Sequence, residues 1–211
     1  MKHIAIEGMD GVGKSTVCQL LAERTGYKFV TKPLHYLTDS KDSKEWPNYF
    51  RARDIANSSD NRDFSAWFYG LGIIYTYEKF KDTNIITDRH IVSNYCWSGV
   101  HSNKDIFDLL VKKVGSPTLT VILYADENIV RSRLTKRDSQ DSDLKRVDKT
   151  EKVYERMISF CELKHFPYIV IDTSKLNPEQ IVDLIMKKME EFNWCNINIL
   201  KTWNTLLYIG H

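Results

Sequence analysis

The chain has 211 residues, of which 30 are basic and 28 acidic, so its formal net charge is only +2. A charge balance this even gives no indication of nucleic acid or of a membrane surface as a partner. No apolar run approaches the roughly 20 residues that span a membrane. The cysteines are scattered and lack a Cys-x-x-Cys pair, so we expect a reducing cytoplasm and thiols that pack as small core side chains: Cys18, Cys96, Cys161 and Cys195.

The first element is a β-branched strand at residues 3–8 that leads into a glycine-rich turn. The turn holds the pattern G-x-x-x-x-G-K-[ST], which is the P-loop. In that loop, successive backbone N–H groups and the N-terminus of the next helix bind phosphate. We expect Lys14 to contact the β- and γ-phosphates of ATP and Ser15 to bind Mg²⁺. The predicted ATP-binding segment comprises Gly8, Met9, Asp10, Gly11, Val12, Gly13, Lys14, Ser15 and Thr16.

Strands and helices then alternate along the chain. Four more short, nearly continuously apolar segments are typical of parallel strands covered on both faces: 27–33, 83–89, 119–125 and 167–174. Helical spacing is found at 15–26, 62–80, 104–115 and 177–192, and we expect the aromatic second helix to lie in the interior. The pattern predicts an α/β, three-layer P-loop fold with a five-stranded parallel sheet flanked by helices.

The same alternation predicts the domain organisation. Residues 1–192 form one P-loop domain without a linker, and residues 193–211 form a tail of unknown role. The last predicted helix begins at an N-cap, Asn177, with Pro178 in its first turn.

In open parallel sheets, ligands bind at the carboxyl ends of the strands. The third predicted strand ends in Asp88 and Arg89, and the second ends near Lys32. Next to a P-loop, Asp88 is expected to hold Mg²⁺ and Arg89 to bind a phosphate through its planar guanidinium. His90 is expected to be a packed or exposed side chain rather than a catalyst, because phosphoryl transfer needs little proton chemistry.

A densely charged stretch follows the fourth predicted strand. Its basic residues include Arg131, Arg133, Lys136, Arg137 and Arg146. A solvated surface helix is one interpretation of such a run. The position in a P-loop domain favours a lid over about residues 131–150 that closes over ATP, neutralises the transferred phosphoryl group and excludes water.

Taken together, these segments resemble the thymidylate kinase family of nucleoside monophosphate kinases. IEGMDGVGKST is similar to that family's E-G-x-[DE]-G-x-G-K-[ST]-T loop, and TDRHIVSNYCWSG is similar to its D-R-Y-x-x-S-x-x-A-Y-Q-G segment. The resemblance covers the chain up to Phe192. It implies that Asp10 lies near the 3′-hydroxyl of the acceptor nucleotide, that Arg89 holds the acceptor phosphate and that Phe68 stacks on the base. It also implies that Arg133 and Arg137 supply catalytic charge from the lid and that the protein forms a homodimer.

Three positions depart from the family pattern on the acceptor side. Lys32 stands for the arginine of R-E-P, whose glutamate is missing, Gly72 stands for an arginine, and Ser98 stands for a glutamine. Lys32 and Ser98 therefore belong to the predicted substrate site, while the base and the sugar stay open.

Two other functions are compatible with a P-loop. One is a kinase of nucleosides or other small molecules, but a hydroxyl acceptor benefits from a carboxylate base, and Lys32 occupies the corresponding place after the second strand. The other is a nucleotide-switched regulatory protein. An N-K-x-D sequence for guanine is absent, and D-x-x-G is found only inside the P-loop.

Overall fold

The structure is a computed structural model that describes residues 1–195, without the side chains of residue 142 and residues 192–195. Five parallel strands form one sheet in the order β2-β3-β1-β4-β5. Their bounds are β1 (His3–Gly8), β2 (Lys28–Val30), β3 (Ile85–Asp88), β4 (Leu119–Tyr124) and β5 (Tyr168–Asp172). The predicted five-stranded parallel sheet is confirmed.

The described helices follow the strands in chain order. They are α1 (Lys14–Thr25), α2 (His35–Thr38), α3 (Pro47–Ser58), α4 (Arg62–Lys79), α5 (Ile91–Ser98), α6 (Lys104–Val114), α7 (Glu127–Arg137), α8 (Thr150–Leu163) and α9 (Pro178–Cys195), with 3-10 turns at His101–Asn103 and Ser142–Lys149. The sequence predicted α1, α4, α6 and α9 but missed α3, α5, α8 and the four-residue α2. Within residues 1–195, no helix is long and apolar enough to cross a bilayer.

Two of the predicted helix ends have the expected cap. Helix α1 stops at Gly26, which adopts a left-handed φ of 70° and donates its N–H to the carbonyl of Ala22. At the start of α9, the N–H of Gln180 donates to Asn177 Oδ1 at 2.9 Å, and the N–H of Asn177 donates to Gln180 Oε1 at 3.0 Å. This reciprocal pair satisfies N–H groups that the first helical turn leaves without partners.

The helices pack in two groups, α1 with α9, and α4, α5, α6 and α8 with one another. With this strand order, crossovers of the usual right hand put the two groups on opposite faces of the sheet. The central strands β1 and β4 lie between these layers and are buried almost throughout. Cys18, Cys96 and Cys161 are buried free thiols, as expected, whereas the side chain of Cys195 lies outside the described part. Most of the predicted tail, from residue 196, also lies outside it.

Two expectations about burial were wrong. The outer strands are covered incompletely: Lys28 in β2 is exposed, and β5 alternates between buried and half-buried residues. An edge strand lacks the second neighbour that covers a central one. Helix α4 is not an interior helix either, because it exposes a stripe of large apolar side chains: Phe64, Trp67, Leu71 and Ile74.

Candidate active site

A cavity of about 1080 Å³ opens at the carboxyl ends of the strands, between the P-loop, α3, α4 and the charged segment after α7. Nine basic and four acidic side chains line it, although the whole chain carries a net charge of only +2. The basic residues are Lys14, Lys32, Arg53, Arg62, Arg89, Arg133, Arg137, Arg146 and Lys149. The positive charge of the protein is therefore concentrated where an anionic ligand would bind.

The P-loop is shaped by three glycines with positive φ: Gly8, Gly11 and Gly13. A Cβ on Gly8 would collide with the carbonyl oxygen of Leu123 in β4, so only glycine fits this turn. The side chains of Met9 and Val12 are buried in the core, and neither residue lines the cavity. The backbone N–H of Met9 donates to the hydroxyl of Tyr154 at 3.3 Å. Of the predicted ATP-binding segment, the residues that line the cavity are Asp10, Gly11, Gly13, Lys14, Ser15 and Thr16.

Lys14 is almost fully buried at the start of α1. Its ammonium donates to the carbonyl of Met9 at 2.6 Å and lies 3.6 Å from Asp10 Oδ1. Burial and the charge of Arg89 lower the pKa of Lys14, while Asp10 opposes them. The side chain is folded over its own loop, where phosphate oxygens would replace the carbonyl as acceptors.

Arg89 forms the centre of the predicted phosphate site. Its guanidinium donates to Asp10 Oδ1 at 2.7 Å, to the carbonyl of Gly8 at 3.2 Å and to Ser93 Oγ at 3.2 Å. Burial alone would raise the pKa of Asp10, but the charges of Arg89 and Lys14 outweigh it and hold that pKa well below its usual range. The backbone of Arg89 has a φ of 72°, which is unusual for a residue with a Cβ and is typical of functional sites.

Asp88 and Ser15 meet at the other side of the P-loop. The hydroxyl of Ser15 donates to Asp88 Oδ2 at 2.6 Å, and the second carboxylate oxygen is buried without a partner. Hard oxygen ligands of this kind suit Mg²⁺, which takes one or two protein ligands and completes its shell with phosphates and water. The orphaned oxygen makes the pair a fitting Mg²⁺ site.

On the acceptor side, Lys32 and Ser98 both line the cavity, whereas Phe68 does not. One residue further along α4, Tyr69 lines it instead. A Cβ on Gly72 would lie 3.3 Å from Leu34 and 3.4 Å from Pro33, so the absence of a side chain lets the loop after β2 pack directly on α4. Lys32, at a φ of 46°, begins that loop.

Helix α3 contributes residues to the cavity that sequence reasoning missed: Tyr49, Arg53, Asp54 and Asn57. The phenol of Tyr69 donates to Asn57 Oδ1 at 2.6 Å, which joins α3 to α4 across the rim. The only indication in the sequence was Pro47, at the first position of the helix. Helix α3 buries just Tyr49 and Ala56, too few apolar residues for a recognisable period.

The charged stretch does not form one uniform lid. Residues 131–137 belong to α7, which is packed through Val130 and Leu134, and a Cβ on Gly11 would lie 3.0 Å from Leu134. Further on, the 3-10 turn at Ser142–Lys149 buries Val147 completely. Three buried apolar side chains, Val130, Leu134 and Val147, therefore anchor this stretch and the residue before it.

The arginines of this stretch are placed differently from one another. Arg133 donates to the hydroxyl and the carbonyl of Thr173 after β5, at 3.1 and 2.8 Å. Arg137 and Arg146 instead pair with carboxylates of the stretch itself: Arg137 with Asp141, and Arg146 with Asp143 at 3.3 Å. All three arginines line the cavity.

Residues 4–156 match the protein family described as AAA domain. Because this match covers more than half of the chain, the protein belongs to that family of P-loop proteins.

The chain is also similar to thymidylate kinases and to a deoxyadenosine kinase. A probable thymidylate kinase of Methanococcus maripaludis is 27% identical over 195 residues, covering 88% of this chain and 93% of the relative. The fold is similar to that of the thymidylate kinase from Candida albicans, with a TM-score of 0.66 and 16% identity over 91% of this chain and 92% of the other. A deoxyadenosine kinase from M. mycoides has a TM-score of 0.57 and 18% identity over 90% and 99% of the two chains. The resemblance to thymidylate kinases that the motifs indicate is confirmed.

Proposed function

We propose that the protein is an ATP-dependent kinase that phosphorylates a deoxynucleoside monophosphate, dTMP or a related one. The observation that carries this proposal is the pairing of Arg89 with Asp10 beside the P-loop, in a cavity lined by nine basic and four acidic side chains. Lys14 would contact the β- and γ-phosphates, and Arg89 would hold the phosphate that accepts the γ-phosphoryl group. The domain of residues 1–192 and a cytoplasmic location are parts of the same proposal.

A phosphate acceptor fits the charges better than a neutral hydroxyl acceptor does. Lys32 and Arg89 both follow strand ends at the cavity. With an acceptor phosphate they would form charge-assisted hydrogen bonds, each worth about 1.5–3 kcal/mol. The acceptor oxygen is already ionised at neutral pH, so the reaction needs no general base there.

Mg²⁺ is the metal that this proposal requires. Ser15 and Asp88 would hold it together with the phosphates of ATP, and it would neutralise charge on those phosphates. Arg137 and Arg146 would exchange their carboxylate partners for phosphate oxygens when ATP binds. Their charges would then face the transferred phosphoryl group while the surrounding segment excludes water.

The test is ATP consumption with dTMP, dUMP, dCMP, dGMP and dAMP beside the corresponding nucleosides. We expect turnover with at least one monophosphate and little with any nucleoside. If a nucleoside reacts faster than every monophosphate, the acceptor assignment is wrong and the protein is a nucleoside kinase. If ATP binds but no acceptor is converted, the protein acts as a nucleotide-binding switch.

We also propose a homodimer that forms through α4. The stripe of Phe64, Trp67, Leu71 and Ile74 is between 39% and 53% exposed, and contiguous apolar surface of this kind marks protein–protein contacts. Sedimentation velocity should give a dimer for the protein and a monomer for Leu71→Glu. Leu163→Glu, at an equally exposed site on α8 outside the stripe, is the control and should stay dimeric. A monomeric parent protein would contradict the proposal.

A further inference from the structure

Glu7 begins the loop motif EGMDGVGKST, but none of the roles assigned to that motif involves its carboxylate. It lies in β1 directly before the first P-loop glycine, is fully buried, and is absent from the residues that line the cavity. Burial raises its pKa, while the hydrogen bond from Ser93 and the charge of Arg89 oppose that shift. An isolated buried carboxylate is costly unless hydrogen bonds compensate it, so its partners indicate what it does.

Both carboxylate oxygens of Glu7 accept hydrogen bonds from residues that follow Arg89, one in the turn after β3 and one in α5. Oε1 accepts the backbone N–H of His90 at 3.0 Å, and Oε2 accepts the hydroxyl of Ser93. The backbone N–H of Arg89 itself donates to the carbonyl of Ile6 at 2.9 Å. Hydrogen bonds to β1 therefore bracket Arg89, whose φ of 72° is unfavourable for a residue with a Cβ.

The contact with Ser93 also sets the direction of a hydrogen bond to the arginine side chain. A serine hydroxyl can donate one hydrogen bond, and the hydroxyl of Ser93 donates it to Glu7. The oxygen of Ser93 then offers only lone pairs to Arg89 Nη1, which lies 3.2 Å away. If the proton pointed at the guanidinium instead, two donors would face each other and this contact would be lost.

We propose that Glu7 is a positioning residue for the acceptor site, which holds the strained turn of Arg89 and orients Ser93 so that the guanidinium points at the acceptor phosphate. This rests on the proposed function, because it assumes that Arg89 binds the acceptor. Glu7 touches neither nucleotide. We expect its effect to fall mainly on the acceptor, since its carboxylate binds residues after β3 and acts on the side chains of the P-loop only through Arg89.

Glu7→Gln is the first test, because it keeps the size of the side chain and replaces one acceptor oxygen by an NH₂ group. If the amide oxygen accepts from the N–H of His90, the NH₂ group faces Ser93, whose hydroxyl must then accept from it and can no longer donate its proton to residue 7. We expect kcat/KM for the acceptor to fall about 10- to 100-fold, the range for small misplacements in an active site. The dissociation constant of ATP alone should stay within threefold. Equal losses for ATP and acceptor, or no loss for the acceptor, would overturn the proposal.

Ser93→Ala tests the second step and is expected to fold, because it only removes a hydroxyl from α5. Like Glu7→Gln, it should lower kcat/KM for the acceptor, but by a smaller factor. In the double variant Glu7→Gln/Ser93→Ala, kcat/KM for the acceptor should fall by less than the product of the two single factors, because both substitutions act on Arg89. If the two factors multiply, the residues act independently and the proposal is contradicted. Thr120→Val, which removes a buried hydroxyl in β4, is the control. It should change neither kcat/KM for the acceptor nor the dissociation constant of ATP.

Crystal structures of the parent protein and the two single variants distinguish this proposal from the proposed function. In Glu7→Gln, φ of Arg89 should leave the left-handed region, or its guanidinium should lose the contacts with Ser93 and Asp10. An unchanged Arg89 in both variants would overturn the positioning role whatever the acceptor is. A displaced Arg89 in a protein that phosphorylates nucleosides would instead keep the positioning role and overturn the proposed acceptor.

Discussion

Basic side chains lie at both ends of the cavity, but the two ends differ in the partners and the exposure of these side chains. At the P-loop end, Lys14 and Arg89 are tied to backbone carbonyls and to Asp10. At the other end, Arg137 and Arg146 have side chains that are 57% and 51% exposed and pair with carboxylates of their own segment. The cations at the P-loop end are the less exposed, at 6% for Lys14 and 29% for Arg89, so under the proposed function we expect that end to be the better preorganised. Substitutions at the P-loop end should therefore have the larger effects.

Lys14→Ala should give the largest loss, a kcat at least about 100-fold lower, because a preorganised charge is removed from the transferred phosphates. Steady-state ATP consumption measures the effect, and circular dichroism checks that the variant is folded. Lys104→Ala, on the outer surface of α6 and paired with Asp108, is the matched control. Near-parental turnover by a folded Lys14→Ala protein would refute the P-loop assignment.

Arg89→Ala should come next. It should raise the acceptor KM and lower kcat, together about 10- to 100-fold in kcat/KM, because a loosely held acceptor is seldom in line with the γ-phosphoryl group. Titrating the acceptor at saturating ATP separates the two parameters. Arg24→Ala removes an arginine that pairs with Glu179 and Asp183 far from the cavity. An equal loss in that variant would indicate a general effect on the fold.

Arg137→Ala should lower kcat by about tenfold and leave the acceptor KM nearly unchanged, because Arg137 would contact the phosphoryl group only after leaving Asp141. Arg131→Ala, in the same helix but paired with Glu127 and Asp148, should retain kcat. A change in the acceptor KM alone would place Arg137 in ground-state binding rather than in the transition state.

Hydrogen exchange should divide the charged stretch at about residue 138. Residues 127–137 should be protected without ligands, because α7 is anchored by Val130 and Leu134. Residues 138–149 should exchange several-fold more slowly once ATP and the acceptor are both bound. Full protection of both parts in the free protein would argue against any closing movement.

The smallest expected effect is that of His90 on the free energy of unfolding at acidic pH. His90 is buried against His3 and Tyr77, and burial lowers its pKa to about 3. The unfolded chain takes up a proton near the usual pKa of about 6.5 and the folded protein does not, so stability falls as the pH drops through this interval. His90→Phe should reduce the slope of unfolding free energy against pH by up to about 1.4 kcal/mol per pH unit. Urea unfolding at several pH values measures it, with the exposed His101→Phe as control, and an unchanged slope would contradict this origin.

A feature could be predicted from the sequence when the residues that form it lie close together along the chain or follow a regular pattern. Gly8, Gly13, Lys14 and Ser15 lie within eight residues of one another, so their spacing alone predicts the phosphate loop. Asp88 and Arg89 were found because parallel strands bring their carboxyl ends to one edge of the sheet. The apolar periods of the strands and of the longer helices fixed the α/β architecture in the same way.

What the sequence could not provide depends on contacts between distant segments. Helix α3 has almost no apolar period, and its residues enter the cavity only because α4 packs beside it, through contacts such as Tyr69 with Asn57. Phe68 and Tyr69 are adjacent, and their orientation on α4 decides which of them faces the cavity.

The sequence by itself determined the fold, the phosphate-binding chemistry and the strand-end position of Arg89, because local patterns and strand order specify these features. Only the tertiary structure decided that α4 exposes an apolar stripe, that α7 is anchored against Gly11, and that Glu7 binds the turn of Arg89. The physical reason is that burial and hydrogen-bond direction are properties of pairs of residues. Glu7 and His90 are 83 positions apart, and no spacing along the chain indicates that they meet.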